Sequence, residues 1–129
     1  MSTIHQEKIF TQHAENTLWL NTLNFYKDDL IVLKKRLEEL FSKNNNSEFL
    51  KLAEHFQNQF IIQRNNIDKI VNAVKMNENT LTKEVQNNPV AVDQRKTEYH
   101  EKEKDMVESF EKNFNELRKE FILFSSKWM

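Results

Sequence analysis

The residues best suited to chemistry in this 129-residue sequence are a few histidines and glutamates near one end of the predicted helices. His100 and Glu103 are three positions apart, so on a helix they share a face, and His13 falls at nearly the same height on a neighbouring helix. Imidazole and carboxylate groups gathered in this way can bind a metal ion or a small polar ligand. A metal- or small-ligand-binding bundle that uses His13, His100 and Glu103 is therefore one alternative function.

The order of these residues departs from that of known metal-binding bundles. Carboxylate-bridged di-iron bundles contain two Glu-x-x-His motifs and two further glutamates, whereas His100-x-x-Glu103 has the reverse order. Glu54 and His55 are adjacent, so their side chains point apart on a helix. We expect instead a partly solvated end of a helical bundle whose polar residues fix the helix register, with no cofactor and no favoured metal.

The sequence contains no residues that would support nucleophilic catalysis or phosphate binding. The sequence contains no cysteine, which excludes a thiol nucleophile, and no glycine, which excludes a glycine-rich phosphate loop. Ser125 and Ser126 have no candidate base nearby in the sequence. We predict that the protein has no catalytic residues and is not an enzyme.

The absence of glycine, together with a single proline at Pro89, favours long uninterrupted helices. We predict three helices, over about residues 3–42, 47–86 and 89–128, with Ser47 as the N-cap of the second. Each helix contains apolar residues in alternating steps of three and four, which is the pattern of a heptad seam. The seams are Trp19, Leu23, Tyr26, Leu30, Leu33, Leu37 and Leu40; Phe49, Ala53, Phe56, Phe60, Ile67, Ile70, Val74 and Leu81, interrupted by Gln63 and Asn77; and Val107, Phe110, Phe114, Leu117, Phe121, Phe124 and Trp128.

Three such helices joined by short loops are predicted to pack as an antiparallel up-down-up bundle, so the fold class is all-α and residues 1–129 form one domain. The loop at 43–47 and the C-terminus then lie together, at what we call the loop end. We call the opposite end the polar end, because polar residues occupy its seams. These residues are His5, Gln12, Asn16, Asn77, Glu84, Lys96, His100 and Glu103.

The apolar faces are wider near the loop end than a bundle of three helices needs. The excess residues are Ile31, Val32, Ile61, Ile62, Ile122 and Leu123. A helix that is apolar nearly all round is usually buried on several sides, and exposed apolar patches often mark interaction sites. We predict that these residues form a surface for a second copy of the chain, as a homodimer, or for another helical protein, although they could also fill a thick core.

The charge balance and the lengths of the apolar runs argue against two other classes of partner, nucleic acids and membranes. The 19 basic and 20 acidic residues are balanced along the chain, whereas proteins that bind nucleic acids usually have a basic excess. No apolar run approaches the roughly 18 residues of a membrane span, and the N-terminus lacks the apolar segment of a secretory signal. We expect a cytoplasmic protein that binds neither nucleic acid nor membrane.

Several stretches also carry a resemblance to known sequences. They are Trp19-Leu20, Phe25-Tyr26-Lys27-Asp28, His55-Phe56-Gln57-Asn58-Gln59-Phe60, Asn88-Pro89-Val90-Ala91-Val92-Asp93 and Lys127-Trp128-Met129. In these stretches the chain resembles a family of small bacterial all-helical proteins that has no assigned function. The likeness spans nearly the whole chain and implies a helical fold, without an activity or a site residue to carry over.

Overall fold

The protein, seen in a computed structural model, is a bundle of three long helices: α1 (Ser2–Lys43), α2 (Ser47–Asn87) and α3 (Gln94–Trp128). The structure describes the backbone of residues 2–87 and 94–129 and the side chains of residues 10–83 and 100–129, and it contains no strand in those ranges. The predicted all-α bundle is confirmed, as is the continuation of the second helix past residue 76. The predicted start of the third helix at residue 89 lies outside the described residues.

The core is a column of apolar side chains that follows the three predicted seams. Phe49, Phe60 and Phe121 are among the largest side chains that are fully buried. Aromatic rings dominate near the loop end, where Phe49 stacks on Phe124 with centroids 5.6 Å apart and Phe60 meets Phe121 edge-on at 5.2 Å. Rings of this size bury much apolar surface, so they contribute strongly to the hydrophobic stabilisation of this half of the bundle.

Two asparagines shape the turn between α1 and α2. Asn46 is the N-cap of α2, because its Oδ1 accepts from the Glu48 N–H at 2.8 Å and its carbonyl accepts from the Leu50 N–H at 3.0 Å. The prediction of Ser47 as the cap is therefore wrong by one residue. Asn44 Nδ2 donates to the carbonyl oxygens of Leu40, at 3.0 Å, and Trp128, at 2.9 Å, so the turn also contacts the end of α3.

The helices pack unequally. α1 packs more extensively on α2 than on α3, so the side of the bundle between α1 and α3 is the more open one. None of the helices in the described part of the chain has both the length and the apolar character that crossing a bilayer requires.

Truncation of a core ring should destabilise the bundle strongly. Phe114 is fully buried and contacts Tyr26 edge-on at 4.9 Å, so we expect Phe114→Ala to lower the free energy of unfolding by about 3–5 kcal/mol. Urea denaturation followed by circular dichroism measures this change. The control is Phe10→Ala, at a side chain that is 71% exposed, which should change stability by less than about 1 kcal/mol. Similar losses in both variants would contradict the assignment of Phe114 to the core.

Candidate functional site

Polar side chains replace the apolar seam at the polar end, and one network of them joins α1 to α2. Asn16 is fully buried and donates from Nδ2 to Asn77 Oδ1 at 3.1 Å and to Glu78 Oε2 at 2.8 Å. His13 Nδ1 is hydrogen-bonded to the other carboxylate oxygen of Glu78. Because a buried amide is costly without partners, these bonds favour a single register between α1 and α2.

A second network joins α1 to α3 around His100. The His100 ring is buried, its Nε2 lies 3.3 Å from Glu15 Oε2, and it stacks on the Trp19 ring with centroids 4.6 Å apart. An ionised carboxylate only accepts hydrogen bonds, so Nε2 is the protonated nitrogen in this contact. Trp19 is the first residue of the apolar seam on α1, so this stack marks the boundary between the polar end and the apolar core.

Glu103 is a buried carboxyl group one helical turn after His100. The residue is buried, with only 8% of its surface exposed to solvent. Burial raises the pKa of Glu103 from 4.5 to about 7, because the interior disfavours the ionised form. The carboxyl group is consequently about half protonated at neutral pH, and it can then donate as well as accept a hydrogen bond.

Four buried polar atoms at the polar end have no hydrogen-bond partner among the described residues. They are Gln12 Oε1, Asn16 Oδ1, His100 Nδ1 and Glu103 Oε2. Each buried group that lacks a partner costs on the order of 1–3 kcal/mol. Because these polar groups occupy positions that apolar side chains fill elsewhere in the core, the polar end contributes less hydrophobic stabilisation than the aromatic loop end, and local opening of the bundle should begin there.

The structure divides the three residues of the alternative function between two networks. His13 contacts Glu78 on α2, while His100 contacts Glu15, and Glu103 lies on the same face of α3 as His100. Among the described side chains, no group of three or more histidine, aspartate and glutamate residues is arranged to bind a metal ion.

All six residues of the predicted apolar surface are exposed, with exposed fractions from 41% for Ile31 to 73% for Leu123. Val32 and Ile122 line a groove between α1 and α3, whereas Ile61 lines a groove between α1 and α2. Since consecutive helical residues point about 100° apart, each of the three adjacent pairs is divided between two sides of its helix.

Leu18 and Phe25 on α1 are among the further exposed apolar residues that sequence reasoning missed. Both are more than 60% exposed, as is Val32, and the three residues are spaced seven apart. That spacing places them in one row along the helix. The signal was present in the sequence, but the stronger seam of Leu23, Leu30 and Leu37 on the opposite face obscured it.

No family model, no curated protein and no solved structure matches the chain. A function can therefore be inferred only from the arrangement of the residues described above. The resemblance to small bacterial all-helical proteins stays a prediction.

The raised pKa of Glu103 predicts that the fold becomes less stable as the pH rises. The pKa is about 7 in the folded chain, against an ordinary value of 4.5, so the folded state binds more protons between these two values. The resulting stabilisation is fully present below about pH 4.5 and is lost as the pH rises through about 7. A shift of this size corresponds to about 3 kcal/mol, which urea unfolding at about pH 5 and about pH 8 measures.

The matched variant is Glu103→Gln, which keeps the shape of the side chain without the titrating proton. It should be more stable than the wild type at about pH 8, and the stability difference between the two pH values should be smaller. A variant with the same pH dependence as the wild type would contradict the assignment to Glu103.

Proposed function

We propose that the protein is a non-catalytic cytoplasmic helical protein that acts through helix-mediated association, with a second copy of the chain or with another helical protein. The observation that supports this proposal is the open apolar groove between α1 and α3 at the loop end. Its lining residues are Val32, Leu33, Arg36, Phe121, Ile122, Ser125, Ser126 and Met129.

The groove exposes apolar surface that the fold itself leaves uncovered. Val32 is 62% exposed, Ile122 is 52% exposed and Met129 is 75% exposed. A single exposed apolar residue is ordinary, but a row of them shared by two neighbouring helices is typical of an interaction site. Removing such surface from water contributes about 25 cal/mol per Å², which favours a bound helix over an empty groove.

Polar residues of the groove fit the same function. Arg36 and Ser126 both line the groove; the Arg36 guanidinium group lies 3.4 Å from Met129 Sδ, and the Ser126 hydroxyl donates to the Ile122 carbonyl at 2.9 Å. Protein interfaces commonly have an apolar centre and a polar rim in which arginine is enriched. This groove likewise combines apolar side chains with an arginine and two serines.

Self-association is tested by placing charges in the groove. We expect the wild type to form dimers whose fraction rises with concentration, and the double variant Val32→Glu, Ile122→Glu to weaken association by about 100-fold or more, equivalent to ~3 kcal/mol. Light scattering behind a sizing column, over a concentration series, measures the mass against 15.6 kDa for the monomer.

The control carries the same two charges elsewhere, as Asn58→Glu and Asn65→Glu on the exposed face of α2. It should associate like the wild type, and circular dichroism should show equal helicity in all three proteins. A wild type with the mass of a monomer at every concentration would rule out self-association. Loss of helicity in the groove variant alone would show that Val32 and Ile122 belong to the core.

A further inference from the structure

The exposed row of Leu18, Phe25 and Val32 on α1 is a second apolar stripe, separate from the buried seam. The three side chains are 62%, 61% and 62% exposed, and the stripe is about 21 Å long at 1.5 Å per residue. The ring of Phe25 packs edge-on against Tyr26, with centroids 5.8 Å apart, and Tyr26 in turn contacts the core ring of Phe114. The centre of the stripe is thereby positioned by the core.

The stripe is symmetric about its central residue. Leu18 precedes Phe25 by seven residues and Val32 follows it by seven. A helix with such a stripe can pair with an antiparallel copy of itself, because a two-fold axis through Phe25 then places each apolar residue opposite another. A two-fold interface needs a patch of this kind, which is complementary to itself.

The charges of α1 distinguish an antiparallel pair from a parallel one. At the positions three or four residues away from the members of the stripe, the N-terminal half of α1 carries one formal charge, at Glu15, whereas the C-terminal half carries four, at Asp28, Asp29, Lys35 and Arg36. An antiparallel pair places the nearly uncharged half of one helix against the charged half of the other, with Glu15 beside Arg36 of the partner subunit. A parallel pair places Asp28 beside Asp29 of the partner subunit, and Lys35 beside Arg36 of the partner subunit, and these like charges are unfavourable.

From this symmetry and charge pattern we infer that the partner of the protein is a second copy of the chain, whose α1 docks antiparallel on the Leu18, Phe25 and Val32 stripe. This inference rests on the proposed function, and it adds the face and the direction of the contact. Val32 belongs both to the stripe and to the α1–α3 groove, so the docked helix lies along the more open side of the bundle. Three side chains on one helix bury less surface than a stable interface, which buries about 1,200–2,000 Å². The dimer therefore dissociates on dilution.

Cysteine cross-linking tests the contact directly, because the chain contains no cysteine of its own. Three single variants are needed: Leu18→Cys, Phe25→Cys and Val32→Cys. A disulfide forms only when the two Cα atoms are within about 7 Å. We expect Phe25→Cys to form a covalent dimer under mild oxidation, and each of the other two variants alone to remain uncross-linked, because its thiols are about 21 Å apart. An equal mixture of Leu18→Cys and Val32→Cys should cross-link.

The outcomes separate this inference from the proposed function. Cross-linking of Leu18→Cys alone and of Val32→Cys alone would overturn the antiparallel direction. A wild type that is dimeric by light scattering, with no cross-linking of Phe25→Cys, would overturn the inference and leave self-association standing. A wild type that is monomeric at every concentration would overturn this inference together with self-association, and would leave association with another helical protein as the proposed function.

A charge at the centre of the stripe gives a second measurement that needs no cross-link. We expect Phe25→Glu to raise the dissociation constant of the dimer at least tenfold without loss of helicity, since Phe25 is exposed. The control Asn58→Glu should leave the dissociation constant unchanged. Equal effects of the two substitutions would overturn the assignment of the interface to α1.

Discussion

The burial of one apolar seam on each of three long helices is the constraint on which the rest of the structure depends. A chain without glycine has few places at which to reverse direction, and between α1 and α2 it does so at residues 44–46. The helices must therefore cover one another along most of their length. Every polar group in the interior is consequently held at a height set by the heptad register, and the two polar networks are products of that register.

Much of the fold could be predicted from the sequence because the heptad spacing encodes it directly. The buried residues of the core are largely those that recur in steps of three and four, from Trp19 on α1 to Phe124 on α3. The N-cap of α2 was misplaced because Asn46 and Ser47 are both good capping residues. The choice between them depends on where the first intrahelical bond forms, and side-chain preferences alone do not determine it.

The candidate site was less predictable from the sequence. Heptad spacing gives the position of a residue along the bundle axis, but it does not give the neighbouring helix that the side chain contacts. The sequence predicts His13 and His100 at similar heights. Which helix each one faces depends on the side of the α1–α2 hairpin on which α3 packs, and a heptad pattern does not specify that side. The structure pairs His13 with Glu78 and His100 with Glu15. The pKa of Glu103 likewise depends on desolvation, which requires the packed structure.

The bond from Asn44 to the Trp128 carbonyl also bears on how the chain folds. Contacts between α1 and α2 near their turn join residues close in sequence, and such contacts form early because little chain entropy is lost in closing them. The Asn44 bond joins residues 84 positions apart, so it forms only when α3 has docked along the whole hairpin. The turn between α1 and α2 is thus completed by a contact with the end of α3, which couples the packing of all three helices in one cooperative transition.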